Sequence, residues 1–208
     1  MNRTAQNRLA HPIEQRSYAI LRARLGTTGL DTMGLPPLAR AVIERVVHAS
    51  ADIAYATDLV CEETALRGGV DALAGGAPIV VDVGMTAAGV TTRDVVCRLG
   101  DVEPAAAARD GLTRSAAAVG LALAEVGPGA VWVIGCAPTA LERLLTLAGL
   151  ALPALVIGLP VGFVGAVEAK EALRASGLPA ISNRSEKGGA AVAAAALNAL
   201  LYEGLRPC

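Results

Sequence analysis

From residue 78 onward the chain repeats one pattern: a short apolar run, a turn rich in glycine, proline or threonine, and an alanine-rich segment. Short apolar runs between turns are typical of strands buried in a sheet. They predict strands over 79–83, 95–98, 130–135, 154–158 and 180–182. The alanine-rich segments predict helices over 114–126, 139–148, 167–176 and 190–202. Strands that alternate with helices predict βαβ units and a parallel sheet covered on both faces.

The first 77 residues lack this alternation. Prolines at 12 and at 36–37 favour helix starts, and the pattern predicts helices over 12–25, 37–50 and 63–73. No linker rich in serine, glycine or proline separates the two parts. We therefore predict a single α/β domain over 1–208 with three layers. It has a mainly parallel sheet of about five strands, helices on both faces and a helical N-terminal layer.

A mean hydropathy of +0.50 requires a test for membrane spans. The longest uncharged run, 144–167, has the length of a bilayer-spanning helix. It contains two prolines and four glycines, which break it into a helix end, a turn, a short strand and a loop. The N-terminus has no apolar core of the kind that a secretory signal needs. We predict no membrane association and a cytoplasmic location.

Charge and aromatic content exclude a further class of partner. Eighteen Lys and Arg residues nearly balance nineteen Asp and Glu residues, which gives a net charge of −1. Three tyrosines, one tryptophan and one phenylalanine cannot form a base-stacking platform. The four cysteines form no CxxC pair, and none lies at metal-ligand spacing from a histidine. We predict no nucleic-acid partner, no metal site and reduced cysteines.

Ligands of open parallel sheets bind outside the carboxyl ends of the strands. This rule selects the glycine-containing loops 84–86, 135–139, 158–165 and 183–189. The pattern around 158–165 resembles a dinucleotide loop only weakly, because its spacing is wrong and its acidic partner is missing. A nucleotide-dependent oxidoreductase is therefore a minor hypothesis.

The chain has only two histidines, His11 and His48, the side chains best suited to proton transfer near neutral pH. His11 precedes a proline at a helix entrance, and we expect an exposed or capping residue. His48 has Glu44 at i−4 and Arg45 at i−3, on neighbouring parts of one helix face. Either a functional histidine or one that interacts with the last carbonyls of its helix fits this spacing.

Two cationic positions are open to similar alternatives. Arg114 enters a predicted helix beside free backbone N–H groups, where Thr113 or Ser115 can cap. That position suits an anion contact, but also an ordinary exposed arginine. Glu168 and Lys170 begin the helix after loop 158–165, where we expect a solvated face.

Several stretches along the chain match the motifs of one known family, in that family's order. They are HPIEQRSYAIL at 11–21, RVVHA at 45–49, GAPI at 76–79, GVT at 89–91, TRSAAA at 113–118, IGCAPTAL at 134–141, GLPVGFVG at 158–165, EAK at 168–170 and GG at 188–189. They cover nearly the whole chain, and GLPVGFVG and IGCAPTAL are the most specific of them. On these stretches the chain resembles the precorrin-8X methylmutase family.

The resemblance implies an isomerase that moves a methyl group on ring C of precorrin-8X or cobalt-precorrin-8, giving hydrogenobyrinate or cobyrinate. It implies that His48 is the proton donor and acceptor and that Ser17 and Arg45 contact the substrate, with Arg114 as a further contact. It also implies a tetrapyrrole polycarboxylate as ligand, no cofactor and a homodimer.

Two departures from the family pattern concern substrate contacts. Members of the family carry a basic loop before the last helix. In this chain the corresponding loop is NRSEKGG at 183–189, where an acidic residue replaces one of the expected basic residues. The family's E-S-K is EAK at 168–170, which lacks a hydroxyl. A non-catalytic protein that holds or carries a corrinoid is the alternative, and the joint presence of Ser17, Arg45 and His48 favours the enzyme.

Overall fold

The structure is a computed structural model that describes residues 11–27, 29 and 32–205. Its described residues form one sheet in the order β1-β5-β4-β3-β2. Strands β2 to β5 run parallel, and β1 is antiparallel to β5. The strands are β1 (Leu59–Cys61), β2 (Ile79–Val81), β3 (Val131–Ile134), β4 (Leu155–Gly158) and β5 (Ala180–Asn183).

The predicted strand over 95–98 is wrong. Only Val96 pairs with the sheet, as an isolated bridge to Val80 beside β2. It makes two backbone hydrogen bonds there, with Val81 and Ile79 at 2.9 and 2.8 Å. Charged residues on both sides, Asp94 and Arg98, keep the segment from continuing as a buried strand. The fifth strand is instead β1, a three-residue edge strand that the sequence analysis did not predict.

The predicted helices are all present within a few residues of their expected bounds, and four short α-helices add to them. The final helix continues into a π-helical turn, Leu200–Gly204. The helices are α1 (Pro12–Thr27), α2 (Pro37–Ser50), α3 (Tyr55–Asp58), α4 (Glu63–Ala74), α5 (Gly84–Gly89), α6 (Pro104–Arg109), α7 (Arg114–Val126), α8 (Pro138–Thr146), α9 (Ala148–Ala151), α10 (Ala166–Ala175) and α11 (Ala190–Ala199).

The sheet separates two hydrophobic cores. Alternate strand residues such as Trp132 and Val156 pack with helices α7, α8 and α10 on one face. Their neighbours Val131 and Leu155 pack with α4 and α11 on the other. Helix α2 covers α11 from outside, and α1 lies on α2. This arrangement confirms the α/β class, the helices on both faces and the helical N-terminal layer.

Within the described residues, no helix is long and apolar enough to cross a bilayer. The uncharged run 144–167 contains the end of α8, all of α9 and β4, and the start of α10. The prediction that prolines and glycines divide this run is confirmed.

Candidate active site

His48 lies near the end of α2, on the part of the helix that faces α1. The opposite side of α2 packs into the core through Val42, Val46 and Val47, which are buried. The 3.6-residue period therefore places Arg45 and His48 together at the boundary between the buried face and solvent. Both side chains are half-buried. The sequence prediction that they share a region of the helix surface is confirmed.

Two consecutive residues of α1 contact the imidazole. The Ser17 hydroxyl lies 3.0 Å from His48 Nδ1, at hydrogen-bond distance. The Tyr18 ring stacks on the imidazole, with ring centroids 5.0 Å apart and an interplanar angle of 4°. Because Nδ1 is occupied by Ser17, Nε2 is the nitrogen that remains for a ligand.

Arg45 is held by one carboxylate and two aromatic rings. Its Nη1 donates to Glu14 Oε1 at 3.1 Å. Its guanidinium carbon lies 5.7 Å from the Tyr18 centroid and 5.2 Å from that of Tyr202. The Tyr202 hydroxyl in turn hydrogen-bonds to Thr91. These contacts fix the guanidinium beside His48.

A buried carboxylate fastens α1 to α2 beside these residues. Glu44 accepts a bidentate pair from Arg22, at 3.0 Å from Nε and 2.7 Å from Nη2. The Thr32 hydroxyl donates to the same carboxylate at 2.9 Å. Bidentate pairs of this kind fix geometry as well as charge. Ser17 and Tyr18 are thereby held against α2.

An open cavity of about 370 Å³ lies next to His48. Small residues form much of its wall, and the polar groups stand around them. The lining residues are Arg45, His48, Ala49, Gly89, Ala191, Ala194, Ala195, Asn198 and Tyr202. A wall of alanine and glycine next to a histidine and an arginine suits a flat apolar ligand with anionic substituents.

Close packing of α5 against α11 forms one side of the cavity. A Cβ added to Gly89 would lie 2.6 Å from the Cβ of Ala194, so only glycine permits this approach. The Asn198 side chain donates through Nδ2 to the Gly89 carbonyl at 2.8 Å. This hydrogen bond joins the end of α5 to the C-terminal end of α11.

Lys170 holds the loop 183–189, which leads into α11, through hydrogen bonds from its ammonium group. The prediction of a solvated face is wrong for this residue, because Lys170 is fully buried. Its ammonium donates to Asn183 Oδ1 at 2.9 Å, to the Lys187 carbonyl at 2.7 Å and to the Ser185 carbonyl. The loop therefore turns these two carbonyls inward. Burial lowers the pKa of Lys170 to about 8.

Asp58 holds the outer side of the same loop. Its carboxylate accepts from the backbone N–H groups of Arg184 and Ser185 at 3.0 and 2.8 Å. The Ser185 hydroxyl and the Asn183 amide donate to it at 2.6 and 2.8 Å. Burial opposes ionisation, but these hydrogen bonds outweigh it and lower the pKa of Asp58.

Arg114 does not line the cavity beside His48. It begins α7, on the other face of the sheet from α2, and its Nη2 donates to the Leu99 carbonyl at 3.1 Å. Thr113 caps this helix by accepting from the Ala116 N–H at 3.1 Å, as predicted for one of two candidates. The role of Arg114 as a substrate contact stays a prediction.

The other histidine and the cysteines lie apart from this site. His11 is exposed, and its Nδ1 accepts from the Ile13 N–H at 3.2 Å, so the capping interpretation is confirmed. The three cysteines of the described part, Cys61, Cys97 and Cys136, are free; Cys208 lies outside it. Burial raises the pKa of the Cys61 thiol to about 11. No cluster of three metal-ligating side chains occurs among the described residues.

Four residues of the site were not predicted from the sequence: Gly89, Asn198, Tyr202 and Tyr18. Tyr18 has a usable signal, because it follows Ser17 and lies one helical turn from Glu14 and Arg22. The alanines of α11 carry no such signal, since an alanine-rich helix is equally typical of any close packing on a sheet.

Comparison with known proteins finds relatives of this chain in both fold and sequence. A crystal structure of precorrin-8X methylmutase from Thermus thermophilus superposes with a TM-score of 0.80 at 35% identity, covering 92% of this chain and 96% of that one. The cobalt-precorrin-8 methylmutase of Salmonella typhimurium is 40% identical over 202 residues, which are 91% of this chain and 93% of the relative. The precorrin-8X methylmutase of Pseudomonas aeruginosa is 42% identical over 202 residues, with 92% and 94% coverage.

These matches place the chain among the methylmutases, which are isomerases that move a methyl group. The family model of CbiC, precorrin-8X methylmutase, matches residues 12–203. The chain belongs to the precorrin-8X methylmutase family.

Proposed function

We propose that this methylmutase acts in cobalamin biosynthesis on precorrin-8X or cobalt-precorrin-8. It moves a methyl group on ring C and gives hydrogenobyrinate or cobyrinate. The observation that carries the proposal is the Ser17–His48–Tyr18 arrangement beside the cavity, in a chain whose relatives are named for these two substrates.

The reaction is an isomerisation, so substrate and product contain the same atoms and electrons. One carbon–methyl bond breaks and another forms in the same macrocycle. His48 donates a proton to the macrocycle as the methyl group moves and takes a proton back, which leaves no net change. Such general acid–base catalysis contributes about 10²–10⁴-fold in rate. Because the exchange is balanced, it consumes no redox cofactor.

His48 Nε2 is the atom that we assign to this proton exchange. Ser17 occupies Nδ1, and the imidazole forms part of the cavity wall. A ligand in the cavity therefore meets the imidazole through its other nitrogen. The hydroxyl of Ser17 restrains the ring in this role. Its contact with substrate, which the family resemblance implies, is a second proposed role.

Arg45 is the cation that we assign to a substrate carboxylate. It lines the cavity and is oriented by Glu14 and by two tyrosine rings. Charge-assisted hydrogen bonds from arginine suit a carboxylate in bidentate geometry. The Gly89–Ala194 wall admits the flat face of a macrocycle at close range. Arg114 is a further proposed contact with the substrate.

A homodimer and a cytoplasmic location belong to the same proposal. An apolar composition leaves hydrophobic surface that a second copy can cover. Exposed apolar side chains such as Phe163 and Val164, 94% and 88% exposed, are available for such a contact.

The test is incubation of the purified protein with precorrin-8X and, separately, with cobalt-precorrin-8, followed by absorption spectroscopy. We expect catalytic turnover of at least one form to the orange-red product. Binding of hydrogenobyrinate without any change in either substrate would support the carrier alternative and contradict the enzyme. The relatives' names favour turnover.

A further inference from the structure

We propose that Tyr18 is a positioning residue for the reaction: its ring holds the plane of the His48 imidazole so that Nε2 stays directed to the cavity. This inference rests on the proposed role of His48. Tyr18 is not among the described residues that line the cavity beside His48. Tyr18 acts through its stack on His48, which does line that cavity.

The geometry restrains the imidazole in two independent ways. The stack, with rings 5.0 Å apart and nearly parallel at 4°, covers one face of the imidazole and resists tilting. The Ser17 hydroxyl at 3.0 Å from Nδ1 resists rotation within the plane of the ring. Consecutive residues of α1 supply both restraints. A half-buried imidazole with neither restraint would sample several ring orientations.

The surroundings fix Tyr18 itself in this position. Arg22 and Arg45 place guanidinium carbons 5.7 Å from its centroid. Three carboxylates also surround it: Glu14, Glu44 and Glu203. Arg22 and Arg45 are each paired with a carboxylate, Glu44 and Glu14 respectively. Two guanidinium groups thus lie against the Tyr18 ring, whose face stacks on His48.

Tyr18 keeps its neutral form while it does this. Burial raises its pKa to about 12, against the opposing effect of Arg45, and the nearby carboxylates add to the increase. The stack therefore does not change with pH through ionisation of the phenol in ordinary assay conditions. The remaining polar groups near the imidazole, Asn198 and Tyr202, lie on the cavity side.

The test compares Tyr18→Phe, which keeps the ring, with Tyr18→Leu, which removes it. We expect Tyr18→Phe to retain kcat within about twofold and Tyr18→Leu to lower kcat about three- to tenfold, the scale of one aromatic pair. KM stays within about twofold in Tyr18→Phe, which keeps the ring beside Arg45. In Tyr18→Leu KM rises by a smaller factor than kcat falls, because Glu14 and Tyr202 still hold Arg45. Ile20→Ala is the matched control on the same helix, at an exposed position away from His48.

A spectroscopic readout tests the stack without activity. A stacked aromatic ring shifts the carbon-bound protons of His48 upfield in the NMR spectrum. We expect this shift in the wild type and in Tyr18→Phe and its loss in Tyr18→Leu, with His48→Gln identifying the signals. Thermal unfolding of each variant reports whether the fold is intact.

Three results would overturn the inference: an unshifted His48 signal in the wild type, wild-type kcat in Tyr18→Leu, or equal losses in Tyr18→Phe and Tyr18→Leu. Wild-type turnover by His48→Gln would instead contradict the proposed function of the histidine. In that case the NMR shift still decides whether the stack exists, so the two failures are distinguishable.

Discussion

The Ser17 hydroxyl lies 3.0 Å from His48 Nδ1, across 31 positions of sequence and between two helices. The contact depends on how α1 lies on α2, which the buried Glu44 carboxylate fixes through Arg22 and Thr32. It gives Ser17 a definite role in orienting the imidazole. The same residue is a substrate contact in the resemblance, and the two roles differ in their kinetic consequence.

Ser17→Ala separates the two roles. If the hydroxyl orients His48, its loss lowers kcat by about three- to tenfold, the value of one hydrogen bond of about 1 kcal/mol, and KM changes little. Steady-state kinetics measures both constants. Ser176→Ala, which removes a hydroxyl bonded to the Leu173 carbonyl at the end of α10, is the control. A raised KM with unchanged kcat would show that Ser17 serves binding alone.

Arg45→Met removes the cavity cation and keeps a side chain of similar length. We expect KM to rise about 10- to 100-fold, because charge-assisted hydrogen bonds contribute about 1.5–3 kcal/mol. The control is Arg67→Met, at an exposed arginine of α4 that pairs with Glu63. An unchanged KM would contradict the assignment of Arg45 to a substrate carboxylate.

Arg114→Met tests the second arginine in the same assay. A raised KM would support a substrate contact of Arg114, and an unchanged KM would exclude one.

Gly89→Ala tests the packing that forms the cavity wall. The new Cβ would lie 2.6 Å from that of Ala194, so α5 must move away from α11. We expect the free energy of unfolding to fall by about 1–3 kcal/mol. Thermal and urea denaturation measure the change. Gly68→Ala is the matched control, because its new Cβ meets nothing within 4 Å in α4, and it should raise stability by about 0.5–1 kcal/mol.

Lys170→Met tests the buried cation below loop 183–189. It leaves Asn183 Oδ1 without its donor, while the carbonyls of Ser185 and Lys187 keep the Asn183 amide as a donor. An unpaired buried acceptor costs about 1–3 kcal/mol, so we expect the free energy of unfolding to fall by about 1–3 kcal/mol. Denaturation at pH 7 measures it. Stability equal to the wild type would show that the loop does not depend on this lysine.

The same variant has a defined pH dependence. The pKa of Lys170 is about 8 in the folded protein and about 10.4 in an unfolded chain. Between these values the unfolded state binds more protons, so this group makes the free energy of unfolding rise with pH, by up to about 3 kcal/mol. Cys61, with a pKa raised to about 11, acts in the opposite direction. The difference between wild type and Lys170→Met isolates the lysine, and a difference independent of pH between 8 and 10 would contradict it.

Strong local patterns predicted most of the fold. Strands β2 to β5 follow from uninterrupted apolar runs, and the helix start at Pro37 follows from its fixed backbone angle. Strand β1 was not predicted because its three residues are too few to form an apolar run and have the charged Asp58 and Glu62 on either side. The strand is held by its pairing with β5, which is distant in sequence. The strand predicted over 95–98 is wrong because two adjacent valines favour a strand by their β-propensity alone. That propensity does not say whether a neighbouring strand is present to pair with them.

The site was predictable only in part for a related reason. Helical spacing brought Arg45 and His48 together, since they belong to one helix. The contacts of His48 with Ser17 and Tyr18 depend on the packing of two helices, which no local pattern encodes. Lys170 was assigned to solvent because lysine is rarely buried without partners. Its partners are two backbone carbonyls of loop 183–189 and the Asn183 side chain, a pairing that the sequence does not reveal.

Single-turnover conversion of precorrin-8X by His48→Ala, beside binding of hydrogenobyrinate to the same variant, tests the central claim most directly. We expect turnover to fall at least about 100-fold, the lower range of general acid–base catalysis, while product binding stays within about threefold. Conversion of precorrin-8X by His48→Ala at the wild-type rate would contradict the role of His48 in proton transfer.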